Sequence, residues 1–220
     1  MVGHGVKPGE PHPTPRTASR TMRGTTFFLL FASPFAAVLS SPVAPRADCA
    51  DVMVIFARGT TEPAPIGTIV GPPLQSALES ALQGTGKTLS FQGVDYPASI
   101  QGFLEGGDPQ GSQTMANDLT DAANACPNAA LVTSGYSQGG QLVHNSAKLI
   151  SSAVSQRIKA AVIFGDPDDG QAVAGVSAAN TDVICHVGDD ICAGGDLILP
   201  PHLTYGADTP AAAAFIVSKL

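Results

Sequence analysis

Short apolar runs alternate with helix-like segments along most of this sequence, and that alternation restricts the fold more than any other feature. The clearest runs, typical of strands buried on both faces, are Val52–Ala57, Ala129–Thr133 and Ala160–Phe164. Weaker strand candidates are Leu89–Val94 and Val183–His186. Helical stretches lie at Pro73–Leu82, Gly111–Ala125, Gln138–Ser155 and Thr209–Leu220. This order predicts an α/β fold with a central parallel sheet of about five strands flanked by helices.

The charge of the chain changes near residue 47. The first 47 positions hold 5 of the 11 basic and 1 of the 18 acidic residues, which leaves 6 basic and 17 acidic residues in 48–220, a net charge of −11. A strongly acidic surface repels phosphate backbones and anionic lipid headgroups. We therefore expect no nucleic-acid partner for the folded part of the chain.

The charge change coincides with a segment typical of secretory signals. Arg23 precedes the apolar runs Thr26–Ala32 and Ala36–Leu39, and the small residues Ser40 and Ser41 follow. The apolar stretch is too short for a membrane span, so no stable membrane anchor is expected. We expect 22–47 to hold a signal peptide and a short propeptide. Residues 1–21 are expected to be disordered or misassigned, and 48–220 to be one secreted, extracellular domain.

Four cysteines lie after this segment, at Cys49, Cys126, Cys185 and Cys192. An even number in an exported chain predicts two disulfides, although four cysteines allow three pairings. A zinc site is the alternative, but no C-x-x-C or H-x-x-H spacing supports it. We therefore expect no metal and no cofactor.

The strongest local motif is Gly135-Tyr136-Ser137-Gln138-Gly139, a G-x-S-x-G between a strand and a helix. In this context the motif forms a sharp turn that raises the serine hydroxyl above the sheet, and flanking glycines give the strand and helix room to approach. The free N–H groups at the helix start favour a developing oxyanion. The motif predicts Ser137 as the nucleophile of a serine hydrolase.

A serine nucleophile needs a histidine base and a carboxylate that orients it, and in this fold both follow the serine. His144 lies within the helix that Ser137 opens, and His186 lies within a strand candidate. His202 follows Pro200-Pro201 on a stiffened loop. We therefore predict His202 as the base.

The orienting acid cannot be chosen from residue chemistry alone. Asp166, Asp168 and Asp169 follow the strand that ends at Phe164, where many hydrolases of this type carry their acid. Asp189 and Asp190 lie between two cysteines, where a disulfide would hold a carboxylate in place. Both groups remain candidates at this point.

The chain resembles the fungal secreted cutinases over 48–220, and the likeness rests on six ordered segments. They are Cys49, Phe56-Ala57-Arg58-Gly59-Thr60-Thr61-Glu62, Cys126-Pro127, Gly135-Tyr136-Ser137-Gln138-Gly139-Gly140, Cys185-His186-Val187-Gly188-Asp189-Asp190-Ile191-Cys192 and Pro201-His202-Leu203-Thr204-Tyr205-Gly206. The resemblance implies an α/β-hydrolase-type three-layer sandwich. It also implies Ser137, Asp189 and His202 as the catalytic residues, and the pairings Cys49–Cys126 and Cys185–Cys192.

The resemblance further implies an oxyanion hole formed by the backbone N–H groups of Gln138 and Thr60. Many relatives carry serine at the second position, where its hydroxyl also donates. Thr60 keeps that hydroxyl but adds a methyl group, which stiffens its first side-chain torsion.

The sequence indicates the substrate only in outline. No long insertion could form a lid, and an apolar cluster flanks the predicted base at Leu197, Ile198, Leu199 and Leu203, while Phe103 and Leu104 lie in another loop. If exposed, these residues would form a rim suited to an insoluble aliphatic polyester, and the resemblance implies cutin. We expect a monomer that acts on esters. The alternatives are an acetylxylan or short-chain esterase on the same scaffold, and an inactive secreted surface-binding protein.

Overall fold

A single parallel sheet forms the centre of the protein in a computed structural model that describes residues 49–220. Its five strands lie in the order β2-β1-β3-β4-β5 and are β1 (Val52–Ala57), β2 (Leu89–Gly93), β3 (Ala130–Tyr136), β4 (Ile158–Phe164) and β5 (Thr181–Ile184). The predicted parallel sheet of five strands is confirmed. The expected extension at 1–21 and signal peptide at 22–47 lie outside the described residues.

Helices cover both faces of the sheet. They are α1 (Gly71–Leu82), α2 (Ile100–Leu104), α3 (Pro109–Ala125), α4 (Gln138–Leu149), α5 (Ser152–Ser155) and α6 (Thr209–Val217). Helices α1 and α6 pack together on one face, and α3 and α4 pack together on the other. The result is the expected three-layer sandwich. Among residues 49–220, no helix combines the length and apolarity that crossing a membrane requires.

Strand β1 contributes to both hydrophobic cores because successive side chains of a strand point to opposite faces. Phe56 lies in the core beneath α1 and α6, where it joins Leu74. Its neighbour Ile55 lies in the core beneath α3 and α4, where it joins Met115. All four side chains are fully buried. The edge strands β2 and β5 are only partly buried, which explains their weaker apolar pattern.

The helix predicted over Gln138–Ser155 is interrupted at Ile150 and Ser151, so the prediction of one continuous helix is wrong and two helices form instead. Helix α4 ends at Leu149, and the backbone of Ile150 is extended. The hydroxyl of Ser151 then accepts a hydrogen bond from the N–H of Val154 at 3.3 Å and begins the short helix α5. Serine hydroxyls stabilise helix starts in this way.

Two disulfides join the four cysteines in the expected pairs. Cys49–Cys126 fastens the start of the described chain to the end of α3 and spans 77 residues. Cys185–Cys192 spans 7 residues and closes the loop that follows β5. This small loop contains Asp189 and Asp190.

Removing each disulfide separately should cost different amounts of stability, because a longer closed loop restricts the unfolded chain more. We expect the free energy of unfolding to fall by about 4 to 5 kcal/mol in Cys49→Ser/Cys126→Ser and by about 2 to 3 kcal/mol in Cys185→Ser/Cys192→Ser. Urea unfolding followed by circular dichroism measures both values. Equal losses in the two variants would contradict this expectation.

Candidate active site

Three loops meet at the carboxyl edge of the sheet, where parallel sheets bind their ligands. They follow β1, β3 and β5. A cleft of about 480 Å³ opens at this edge, and its walls include Thr60, Phe103, Tyr136, Ser137, Ile198, His202 and Leu203. Ser137 exposes only 3% of its surface, so solvent reaches it only through the cleft.

The turn between β3 and α4 holds Ser137 in a strained backbone conformation, with φ of 57° and ψ of −123°. Such a conformation is unfavourable for serine and persists only where the surrounding structure enforces it. A Cβ atom on Gly139 would lie 2.0 Å from the carbonyl oxygen of Ala57, and one on Gly135 would lie 2.2 Å from that of Gly139. Only glycine fits at both positions, as the motif predicts.

The structure brings Ser137, His202 and Asp189 into one hydrogen-bonded row. His202 Nε2 lies 2.9 Å from Ser137 Oγ, and His202 Nδ1 lies 2.8 Å from Asp189 Oδ2. His202 and Asp189 are 1% and 4% exposed. A carboxylate that accepts from Nδ1 leaves the lone pair on Nε2, which faces the hydroxyl of Ser137. This is the arrangement that a general base needs.

Two further donors hold the carboxylate of Asp189. Tyr205 Oη donates to Oδ2 at 2.6 Å, and the N–H of Ile191 donates to Oδ1 at 3.1 Å. Burial by itself raises the pKa of Asp189, but the hydrogen bonds from Tyr205 and His202 and the charge of His202 lower that pKa by more. The pKa therefore lies below its usual range, and the carboxylate stays ionised at neutral pH.

Tyr136 and Tyr205, which sequence reasoning did not single out, fix the position of His202. Tyr136 Oη donates to the carbonyl oxygen of His202 at 2.8 Å, and the two rings stack with centroids 5.2 Å apart. Tyr205 lies three residues after His202, in a short 3₁₀-helix over Tyr205–Asp208. Both tyrosines belong to the segments on which the resemblance to the cutinases rests. That resemblance was the sequence signal that could have identified them.

Gln138 and Thr60 lie side by side next to Ser137. Gln138 begins α4, so its backbone N–H is one of those at the helix start that lack a partner within the helix. Its side-chain amide donates to Thr60 Oγ1 at 2.9 Å and to the carbonyl oxygen of Ser99 at 2.8 Å. Because Thr60 Oγ1 accepts this hydrogen bond, its own proton remains available to a second acceptor.

Glu62 organises the loop that carries Thr60. Its carboxylate accepts hydrogen bonds from the N–H groups of Gly59, Thr68 and Ile69 at 2.8 to 2.9 Å. The buried guanidinium of Arg58 donates to the carbonyl oxygen of Glu62 at 2.7 Å and to that of Tyr96 at 2.6 Å. Hydrogen bonds to charged groups are among the stronger ones. The loop is therefore fixed independently of any bound ligand.

The sequence profile of the Cutinase family matches residues 48–220. The chain belongs to the cutinase family. It is 62% identical over 168 residues to a cutinase of Botryotinia fuckeliana, a match that covers 76% of this chain and 82% of that protein. It is 56% identical over 168 residues to a cutinase of Monilinia fructicola, with the same coverage.

A solved structure of Trichoderma reesei cutinase, in complex with a C11Y4 phosphonate inhibitor, is also similar. The two chains are 48% identical with a TM-score of 0.74, and the match covers 79% of this chain and 78% of that one. Membership of the cutinase family confirms the predicted enzyme class, a carboxylic ester hydrolase.

The other acidic candidates of this cutinase-family chain have different partners. Asp166 lies 2.9 Å from Nε2 of His144, which is a residue of α4, and both side chains are buried. Asp168 lies near this pair, and the three side chains offer ligand atoms within 4.8 Å of one another. His144 and Asp166 already bond to each other, which explains the cluster without an ion. Asp190 accepts a hydrogen bond from the N–H of Leu197.

An exposed apolar rim borders the cleft of the cutinase-family domain. The four residues predicted for it are between 38% and 59% exposed, and they are Leu197, Ile198, Leu199 and Leu203. Ile198 and Leu203 line the cleft itself. Ile100 and Phe103, on α2, also line the cleft. Leu104 is exposed on the same helix, which forms where a loop was expected, and Ile100 belongs to no motif that would have selected it.

Proposed function

We propose that this cutinase-family protein hydrolyses carboxylic esters through a covalent acyl-enzyme on Ser137. The observation that carries the proposal is the row of hydrogen bonds, 2.9 Å from Ser137 Oγ to His202 Nε2 and 2.8 Å from His202 Nδ1 to Asp189 Oδ2. Ser137 is the nucleophile, His202 the general base and Asp189 the group that orients the imidazole. Ser137 and His202 line the cleft that a substrate can enter, and Asp189 lies behind them.

The reaction has two steps. Ser137 Oγ attacks the ester carbonyl while His202 Nε2 takes its proton, and a tetrahedral intermediate forms. The intermediate collapses as the alcohol leaves with the proton from His202, which leaves the acyl group on Ser137. Water, deprotonated by His202, then attacks the acyl-enzyme and forms a second tetrahedral intermediate. The bond between the acyl carbon and Ser137 Oγ breaks, His202 returns the proton to Oγ, and the acid leaves, so that the enzyme returns to its starting state.

The negative oxygen of each tetrahedral intermediate lies between the start of α4 and the loop after β1. It accepts from the backbone N–H groups of Gln138 and Thr60 and from the hydroxyl of Thr60. That hydroxyl is aligned in advance because Gln138 Nε2 donates to its oxygen. Donors that are in place before the charge develops stabilise the transition state most.

The apolar rim supports an aliphatic polyester as the substrate. Ile100, Phe103, Ile198 and Leu203 give the cleft apolar walls, and neighbouring leucines extend this surface beyond it. Exposed apolar surface next to a reactive group suits contact with an insoluble, water-excluding material. We infer cutin-like polyesters and short- to medium-chain esters as substrates. The signal-like segment at 22–47 supports a secreted, extracellular enzyme, and we infer that it acts as a monomer.

Replacing Ser137 tests the proposed nucleophile. A fluorophosphonate probe should label the wild-type protein covalently, and Ser137→Ala should lose both the label and nearly all turnover, about a 10⁶-fold fall in kcat. Ser134→Ala is the matched control, because this buried hydroxyl on β3 has no hydrogen-bond partner among the described residues and should not affect labelling. A wild-type protein that takes no label would favour an inactive surface-binding protein instead.

Replacing Thr60 tests the proposed third oxyanion donor. Thr60→Val keeps the branched shape but removes the hydroxyl, and we expect kcat to fall by about 100-fold with KM little changed, as for the loss of one oxyanion donor. Thr60→Ser keeps the donor and should stay within a few-fold of wild type. Steady-state kinetics on p-nitrophenyl butyrate measures kcat and KM for both variants. An unchanged kcat in Thr60→Val would show that the hydroxyl does not stabilise the oxyanion.

An acyl-chain profile tests the substrate class. We expect p-nitrophenyl esters of medium chain length to be turned over at least as well as the acetate, because the rim adds apolar contact with each methylene, about 0.8 kcal/mol when fully buried. Ile198→Asn should reduce kcat/KM for long chains more than for acetate. Leu149→Asn is the control, since Leu149 is equally exposed but does not line the cleft. A steep fall beyond acetate would support a short-chain or acetylxylan esterase.

A further inference from the structure

His186 lies beside the hydrogen-bonded row without forming part of it. Its Nδ1 lies 2.9 Å from the carbonyl oxygen of Pro201, and its Nε2 lies 2.8 Å from Asp208 Oδ2. Its ring stacks on that of Tyr205, with centroids 4.0 Å apart and planes 20° apart. The side chain thus contacts the 3₁₀-helix over Pro200–Leu203, which carries His202, and Asp208 at the start of α6.

These contacts favour the doubly protonated ring. A carbonyl oxygen can only accept, so the 2.9 Å contact with Pro201 favours a proton on Nδ1. The hydroxyl of Thr204 lies 3.2 Å from Nδ1 but donates its proton to the same carbonyl oxygen at 3.0 Å, so its oxygen faces Nδ1 as a second acceptor. The carboxylate of Asp208 favours a proton on Nε2 as well. Only the imidazolium form of histidine donates from both nitrogens. A neutral ring would give up one of the two hydrogen bonds.

The charged groups around His186 act in the same direction. Partial burial lowers the pKa of His186, but the hydrogen bond to Pro201, the hydrogen bond to Asp208, and the charges of Asp208 and Asp189 raise it by more. Asp208 faces the ring from the start of α6, and Asp189 faces it from the disulfide loop. Tyr205 faces it from the intervening 3₁₀-helix and is neutral, because burial raises its own pKa.

His186 is connected both to the backbone that carries His202 and to Asp189, the carboxylate that orients it. Pro201 immediately precedes His202, so the bond from Nδ1 holds the backbone from which the base projects. Tyr205 Oη accepts the backbone N–H of His186 at 2.9 Å and donates to Asp189 Oδ2 at 2.6 Å. A shift of His186 would therefore move His202 and the hydrogen bonds of Asp189 together.

We propose that His186 is a positioning residue whose imidazolium holds the His202 loop and the Tyr205 ring in the geometry that proton transfer from Ser137 requires. The inference rests on the proposed function and assigns no contact between His186 and the substrate. Its effect should depend on pH, because the folded protein binds the His186 proton more tightly than the unfolded chain does. The stabilising effect is complete below the unfolded pKa of about 6.5 and is lost as the pH rises through the higher folded value.

The test compares kcat of the wild type and His186→Gln from pH 5.5 to 9.5, with each protein corrected for active sites by fluorophosphonate titration. We expect a wild-type to variant ratio of roughly tenfold at the acid end, the effect of about one charge-assisted hydrogen bond, that declines toward one at alkaline pH. KM should change little. A ratio that is one throughout, or that does not depend on pH, would overturn the inference.

Asp208→Asn provides a second test, because it keeps the imidazole of His186 and a side chain of the same shape with an acceptor oxygen at position 208. Removing the carboxylate charge should lower the pKa of His186, so the ratio of wild-type to variant kcat should be near one at both ends of the range and exceed one between them. Asp169→Asn removes the same charge at an exposed site and should give a ratio of one at every pH. Superimposable profiles for Asp208→Asn and Asp169→Asn would overturn the inference.

Nuclear magnetic resonance titration of the His186 ring measures its pKa directly. Its midpoint in the wild type should lie above 6.5 and should coincide with the pH at which the His186→Gln ratio declines. A midpoint at or below 6.5 contradicts the inference. Absence of any turnover in the wild type would overturn the proposed function together with this inference, whereas an active enzyme with a flat ratio overturns the inference alone.

Discussion

The approach of α4 to β1 at Gly139 is the constraint on which the rest of the site depends. At this point there is no room for a side chain, because a Cβ atom would stand 2.0 Å from the carbonyl oxygen of Ala57. Ser137 and Gln138 lie at the start of the same helix, and β1 runs directly into the loop of Thr60. One backbone contact therefore sets the distance between the proposed nucleophile and both proposed oxyanion donors. Any larger residue at Gly139 would separate them.

The sequence was sufficient to predict the central sheet and the turn that carries Ser137. Strands β1, β3 and β4 are buried over most of their length on both faces, so each contains an apolar run, although β3 continues past its run to Tyr136 and β4 begins before its run at Ile158. The edge strand β5 is only partly buried, and it runs over Thr181–Ile184 rather than the predicted Val183–His186, so it begins and ends two residues earlier. The break in α4 at Ile150 was missed because Ser151 begins a new helix within an unbroken helical pattern. Local propensity does not specify such a break.

The choice of Asp189 over Asp166 shows where residue chemistry alone is insufficient. Both aspartates follow strands at the carboxyl edge of the sheet, and both are buried next to a histidine in the fold. Which aspartate orients the proposed base depends on which histidine lies next to each carboxylate. That is determined by the path of the folded chain rather than by the spacing of residues in the sequence. Asp166 lies within hydrogen-bond distance of His144, whereas the loop closed by Cys185–Cys192 places Asp189 within hydrogen-bond distance of His202. Tyr205 was missed for the same reason, since its contacts join distant elements.

The amide of Gln138 has a consequence for the timing of catalysis. It bridges Thr60 and the carbonyl oxygen of Ser99, so three separate segments are connected before any substrate arrives. A hydroxyl already held at its oxygen has little rotational freedom left to lose when negative charge builds up beside it. The surrounding dipoles likewise need little reorientation during the reaction. The proposed oxyanion hole is therefore preassembled, and the free energy of ester binding is not consumed in building it.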